Sequence, residues 1–189
     1  MTIHQQVVYD TNLPYCTVSP RDMAAAMGAH GLRRCDPVQI ETALALGESL
    51  IHSQLAPAQV VYTLDAISQM TVWVTGDPVE GLYLIVPLTH EGRVAVESGD
   101  FNPGDPALRH VAPARTPIFG LYVGCYAGAT KEARRAVMSA SAQVRVSLYG
   151  PVPCFARGAT EDGARSMQAL GFRRLQGGLP DLFVFDPIV

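Results

Sequence analysis

The sequence predicts a mixed α/β fold, a central and mostly antiparallel sheet with helices on both faces. Three observations predict it. The first third repeats apolar residues at helical spacing between proline and glycine breaks. The middle holds apolar runs of strand length, "MTVWVTGD" and "GLYLIVPLT", divided by a Gly76-Asp77-Pro78 turn. The last third runs strand, helix, strand, helix, and closes on a hairpin turning at Gly177-Gly178. That order gives a mixed sheet, not an all-parallel doubly wound one.

The elements follow in chain order. In "SPRDMAAAMGAHG", Ser19 caps a short helix, Pro20 suits its first turn and Asp22 suits its positive end. In "DPVQIETALALGESLIHSQLAP", Asp36 caps, Pro37 starts, and Ile40, Ala43, Leu44, Leu50 and Ile51 recur at helical spacing up to Pro57. "PAQVVYTLDAISQM" repeats the pattern through Val60, Val61, Leu64 and Ile67. "MTVWVTGD" and "GLYLIVPLT" are strands of one antiparallel hairpin, the second apolar on both faces and so central. Residues 90 to 117 carry Pro103, Pro106, Pro113 and Pro117 with Gly92, Gly99 and Gly104, and read as a long loop. Within it "GRVAVES" alternates as a short strand. Such a loop is a lid or binding loop, or an insertion without a role.

"PIFGLYVGCY" is the third clear strand. It turns through Gly128, Ala129 and Thr130 into the helix "TKEARRAVMSASAQ", with Ala133, Val137 and Met138 inward and Lys131, Glu132, Arg134 and Arg135 outward. "VPCFARGAT" is a strand, Thr160 caps "EDGARSMQALG", Ala164, Met167 and Leu170 share a face, and Gly171 stops the helix.

Composition narrows the function. A chain of 189 residues, 48% hydrophobic and 16% charged, buries a full core as one domain, helical over 1–69 and sheet-rich over 70–189. A net charge of −3 speaks against general nucleic-acid binding, and the pairs Arg33-Arg34, Arg134-Arg135 and Arg173-Arg174 read as solvated element ends. Cys16, Cys35, Cys125 and Cys154 form no C-x-x-C pair, and His4, His30, His52, His90 and His110 are scattered. Neither a disulfide framework nor a metal site is expected, and the thiols suit a cytoplasmic protein. "MTIHQQVVYD" does not read as a signal peptide, and "LYLIVPL" is too short to span a bilayer. G-x-G-x-x-G and G-x-x-x-x-G-K-[ST] are both absent, against dinucleotide and P-loop nucleotide binding.

The strand-to-helix corner is the chemical focus. Free amides at a helix N-terminus, backed by the helix dipole, favour an anion. Gly128 permits close backbone approach, Thr130 offers a hydroxyl and Lys131 a charge. The plainer alternative is a corner in which Gly128 only permits the turn.

Two motifs, with the element order, resemble the GNAT acyltransferase superfamily over roughly residues 60 to 189. Its members typically move an acyl group from coenzyme A to an amine. Aligned on the family's Q/R-x-x-G-x-G/A pyrophosphate loop, "CYAGAT" keeps the central Gly128, with Cys125 for the Gln or Arg and Thr130 for the last Gly or Ala. "GARSMQALGFRRL" resembles the family's last helix and its "LGF" exit, and "FARGATEDGAR" the strand and helix start before it. The resemblance implies acetyl-CoA or another acyl-CoA as co-substrate. It implies a pyrophosphate at Cys125, Gly128, Ala129, Thr130 and Lys131. It also implies a pantetheine arm on the backbone of Leu121, Tyr122 and Val123, entering where the strand splays near Cys154 and Phe155.

Family enzymes commonly carry a tyrosine acid four residues before the glycine of "LGF"; here that position is Met167, which cannot donate a proton. Tyr126 lies near the loop, placed to pack or to cover the cofactor. Glu91, Glu97, Asp100 and Asp105 are candidate bases or solvated carboxylates. Cys125 is a candidate nucleophile at a helix N-terminus, without a neighbouring histidine. Trp73 lines an acceptor pocket or belongs to the core. The implied function is N-acyl transfer to a small-molecule amine or a peptide, with no nucleic acid or membrane partner and a homodimer left open. The alternative is an inactive acyl-CoA sensor or interaction module.

Overall fold

The computed structural model describes residues 12–188. The segment "MTIHQQVVYD", with His4 and the reading that it is no leader, lies outside the described residues. The helices are α1 (Pro20–Gly28), α2 (Ile40–Ile51), α3 (Ala58–Ser68), α4 (His90–Ser98), α5 (Lys131–Ser147) and α6 (Glu161–Ala169). The strands are β1 (Arg33–Arg34), β2 (Val72–Thr75), β3 (Gly81–Leu88), β4 (Gly120–Gly128), β5 (Cys154–Arg157), β6 (Arg173–Arg174) and β7 (Leu182–Phe185). They form one seven-stranded sheet in the order β1-β2-β3-β4-β5-β7-β6. Among the described residues only β4 and β5 pair in parallel; the other neighbours are antiparallel. The mixed, mostly antiparallel sheet expected from the sequence is the one observed.

Helices cover both faces because the strands alternate apolar residues to both. On one face Tyr83, Ile85, Leu121, Val123, Cys154 and Ala156 pack against α1, α5 and α6. On the other, Leu82, Leu84, Val86, Tyr122, Cys125 and Phe155 pack against α2, α3 and α4. Ser19, Asp36, Thr130 and Thr160 all act as side-chain caps, each accepting a backbone N–H two or three residues on. Asp65 is buried and joins three elements: it accepts from Arg34 at 2.7 Å and from the amides of Thr71 and Val72.

Several expectations change. The segment "GRVAVES" is helical, not a strand. Thr89 caps α4 by accepting from the Gly92 amide at 3.0 Å, and Gly99, at φ 91°, ends it. Gly92, Ala95 and Val96 form its buried stripe, while Val94 is exposed. The long loop over 90–117 is therefore broken by α4 and by a short 3-10 turn at Leu108–His110. The second helix stops at Ile51, where His52 takes a left-handed conformation, rather than at Pro57. On α5 the inner stripe is Ala133, Val137, Ala140 and Val144. Met138 lies about 100° around the helix from Val137 and is exposed. Trp73 belongs to the core: it is buried, and its indole N–H donates to the Met70 carbonyl at 2.9 Å.

Candidate functional site

The candidate site is built on β4. Its first residues pair with β5 in the register Leu121–Cys154, Tyr122–Phe155 and Val123–Ala156. Beyond Val123 the parallel pairing stops, and β4 continues alone on that side to Gly128. The change coincides with a bulge. On the β3 side Leu84 opposes Cys125 and Ile85 opposes Val123, so Gly124 is the extra residue. An inserted residue reverses the alternation of side chains. Val123 and Tyr126 thus share the α5–α6 face, while Tyr122 and Cys125 share the α2–α4 face.

This corrects the expected place of the gap. Leu121, Tyr122 and Val123 are buried, and the strand there has β3 on one side and β5 on the other. The strands part after Val123 and Ala156, not at Cys154 and Phe155. The stretch of β4 without a β5 partner is Gly124–Gly128, and the Gly128 carbonyl accepts from Arg134 at 3.5 Å.

The corner also differs from the expected loop. Cys125 to Gly128 are strand residues paired with Gly81 to Leu84, so only Ala129 and Thr130 connect β4 to α5. The Ala129 amide donates to the Glu80 carbonyl at 2.7 Å. Thr130 accepts from the Ala133 amide at 3.1 Å as the helix cap. A Cβ on Gly128 would overlap the Arg134 amide nitrogen and lie 2.7 Å from the Ala133 carbonyl carbon. The glycine is thus required by the close approach of α5 to its own strand. What remains open to an anion is the first turn of α5, where the Lys131 and Glu132 amides have no intrahelical acceptor. The side chains of Lys131 and Glu132 are exposed there.

Cys125 is buried against Gly47 and Leu82 of the opposite face, and burial pushes its thiol up to about 12. A nucleophile needs the opposite shift. The four carboxylates do not converge on β4. Glu91 pairs with Arg109 at 3.4 Å, Glu97 with Arg93 at 3.2 Å, Asp100 accepts from Ser98 at 3.0 Å, and Asp105 is exposed. Glu91 and Glu97 ride on α4, across the sheet from Tyr126.

Tyr126 lies on the α5–α6 face of the stretch of β4 that has no β5 partner. It is half-buried, and its hydroxyl meets the Met167 Sδ at 4.0 Å. The two positions singled out separately in the sequence therefore touch. Burial pushes the Tyr126 phenol up to about 12, partly offset by Arg145. Arg145, in the last turn of α5, is a residue that sequence reasoning missed. Its guanidinium lies 3.9 Å from the Phe185 ring centre and 5.5 Å from that of Phe172, and its Nε is buried without an acceptor. No local spacing marks it, since it follows Val144 and so lies about 100° around the helix from the buried stripe. His110 was also missed as a buried group: its Nδ1 has no partner, and burial, with Arg109, lowers its pKa.

Two surface hollows lie away from β4. One of about 300 Å³ follows the Arg174–Asp181 turn, and one of about 120 Å³ lies between α3 and Asp105–Leu108. Among the described residues no cluster of His, Cys, Asp and Glu could hold a metal, and no helix is long and apolar enough to cross a membrane.

No family model matches the sequence, and no curated protein matches it. Among solved structures, Ard1 from Thermoplasma volcanium is similar with a TM-score of 0.49 at 11% identity, over 84% of this chain and 97% of that chain. A likeness of that depth assigns neither activity nor substrate.

Proposed function

We propose that this chain is a GNAT-like domain that binds an acyl-CoA and transfers its acyl group to an amine of a small molecule or peptide. The observation that carries the reading is the parting of β4 from β5 after Val123 and Ala156, at a bulge, beside the first turn of α5. An unpaired strand edge offers backbone donors and acceptors to an amide-bearing arm. The α5 first turn with Lys131 suits a diphosphate. These residues fit the group in the gap and at the helix. They fit less well at Ala129 and Gly128, whose amide and α-carbon are engaged within the protein. When bound, an acyl-coenzyme A would supply an activated thioester. The chain's part is to hold the arm along Gly124–Ala127 and the diphosphate at Lys131.

The reading is tested by melting the protein with saturating coenzyme A or acetyl-CoA. A ligand at a hundred times its Kd adds about 2.7 kcal/mol. A rise in Tm that Lys131→Glu reduces supports the reading, and no shift with either ligand overturns it. A second reading, a sensor without turnover, is favoured by Met167 in place of a proton donor and by the engaged Ala129 amide. Binding without thiol release across a broad pool of amines selects it.

A further inference from the structure

The inference concerns His110 and the junction it closes. The chain leaves β3 at Thr89, forms α4, and returns to β3 through the 3-10 turn Leu108–His110. Its departure and its return are fastened to each other. The Thr89 amide donates to the His110 carbonyl at 3.0 Å, and the Thr89 hydroxyl donates to the Arg109 carbonyl at 2.6 Å. The same hydroxyl oxygen caps α4 by accepting from the Gly92 amide. A Cβ on Gly92 would overlap the His110 carbonyl oxygen, so α4 rests directly on the turn. Leu88 bridges Val111, and the Ala112 amide donates to the Pro87 carbonyl at 2.9 Å. The far end of α4 is held separately, by Gly99 against Gly178.

His110 is buried at this junction, 6% exposed, and its Nδ1 makes no hydrogen bond among the described residues. Its ring centre lies 6.0 Å from that of Phe101, and the Phe101 ring lies 5.1 Å from that of Tyr122 on β4. The Phe101 amide donates to the Ala95 carbonyl, which ties the ring to α4. A neutral imidazole can leave Nδ1 as its proton-free nitrogen. A charged one carries a proton on both nitrogens and puts a buried donor where no acceptor lies. Burial and, after it, Arg109 hold His110 below its ordinary ionisation, while Glu91 and Asp100 act the other way. Glu91 is engaged by Arg109 and Asp100 by Ser98. Arg93 and Glu97, further along α4, pair with each other, and His90 stacks on Phe119. β3 meets the turn through Pro87 and Leu88, and the Tyr122 phenol is pushed up to about 12.

We propose that the junction of α4 with residues 108–112 is an acid-released latch, with His110 as the group that opens it. Closed, the imidazole is neutral and packed against Phe101. Once it takes up a proton, the turn lifts from Thr89 and Gly92, while Gly99 and Gly178 keep the far end of α4 docked. Release uncovers Phe101 and the Tyr122 ring against it. The sign follows from the lowered ionisation: the latch holds fully above about pH 6.5 and weakens as pH falls through the folded value. The latch stands apart from the acyl-CoA reading and needs no ligand.

Hydrogen exchange on the full chain, corrected for the intrinsic pH dependence of amide exchange, tests the latch. The amides of Thr89, Arg93 and Ala112 report the junction, and those of α5 report the fold as a whole. Between about pH 7.5 and about pH 5 the population of open junction should rise several-fold. Its ceiling is about thirtyfold, set by a histidine that ionises near 6.5 when released and stays neutral when docked. His110→Phe should remove this pH dependence, whatever its own baseline. His110→Gln serves if the Phe variant does not fold, since its side chain is polar but carries no charge. No rise in the wild type, an equal rise in the variant, or a parallel rise in α5 from general acid unfolding overturns the proposal.

Discussion

The two halves of β4 share one strand and differ in almost everything else. From Leu121 to Val123 the strand lies between two neighbours, with every side chain buried. From Gly124 to Gly128 it keeps β3 and loses β5. A single extra residue divides the halves and turns Tyr126 to the face of Met167 and Arg145. The first half holds the sheet together; the second keeps one neighbour and leaves its other edge without a strand partner. Strength and access are therefore separated along one strand, rather than assigned to a core and a loop.

Substitutions sharpen or break this division, the largest effects first. Leu121→Ala removes a fully buried side chain from the paired half and should cost about 3 kcal/mol in urea denaturation. Gly128→Ala should cost about 2 kcal/mol with no ligand present, because the new methyl meets the α5 backbone. A Gly128 variant with normal stability and lost ligand response would instead return that glycine to the ligand. Thr130→Ala removes the α5 cap, for about 1 kcal/mol. Tyr126→Phe should change stability by less than about 0.5 kcal/mol, since it gives up only a long hydroxyl–thioether contact. A loss matching that of Leu121→Ala would erase the distinction between the halves.

The thiols give the mildest test. Cys16, Cys125 and Cys154 are pushed up to about 12 and Cys35 to about 11, in each case chiefly by burial. Unfolded thiols ionise near 9, so the unfolded chain sheds these protons first. The contribution is full below pH 9 and falls as pH rises toward 12. Urea midpoints should decline above pH 9, and a thiol-specific disulfide reagent should label the native protein slowly at pH 8. Rapid labelling of Cys125 would revive it as a nucleophile.

The frame of this fold was legible because its signals are local. Ser19, Asp36 and Thr160 cap where their hydroxyl or carboxylate meets a nearby amide, and Gly171 stops α6 at φ 87°. The α4 helix was obscured because its buried stripe is Gly92, Ala95 and Val96, so the alternating Val94 and Val96 imitated a strand. At the site, the residues were found more readily than their reasons. Gly128 stood out as a glycine, but its neighbour is Arg134 of its own helix rather than a ligand. The bulge at Gly124 exists only relative to β3, and the orphaned Nε of Arg145 only relative to every carboxylate that is elsewhere. Such features belong to pairs of distant segments, and no local spacing encodes them.

The junction of α4 with the last hairpin has a consequence for how this chain tolerates changes of length. A Cβ on Gly99 would lie 3.0 Å from the Gly178 carbonyl oxygen, and one on Gly178 would lie 2.8 Å from the Val96 carbonyl oxygen. Main chain rests on main chain, with no side chain between to absorb a shift. The junction behaves as a rivet: added residues should be tolerated in the exposed stretch around Asn102, whereas one residue inserted beside either glycine should throw the two segments out of step.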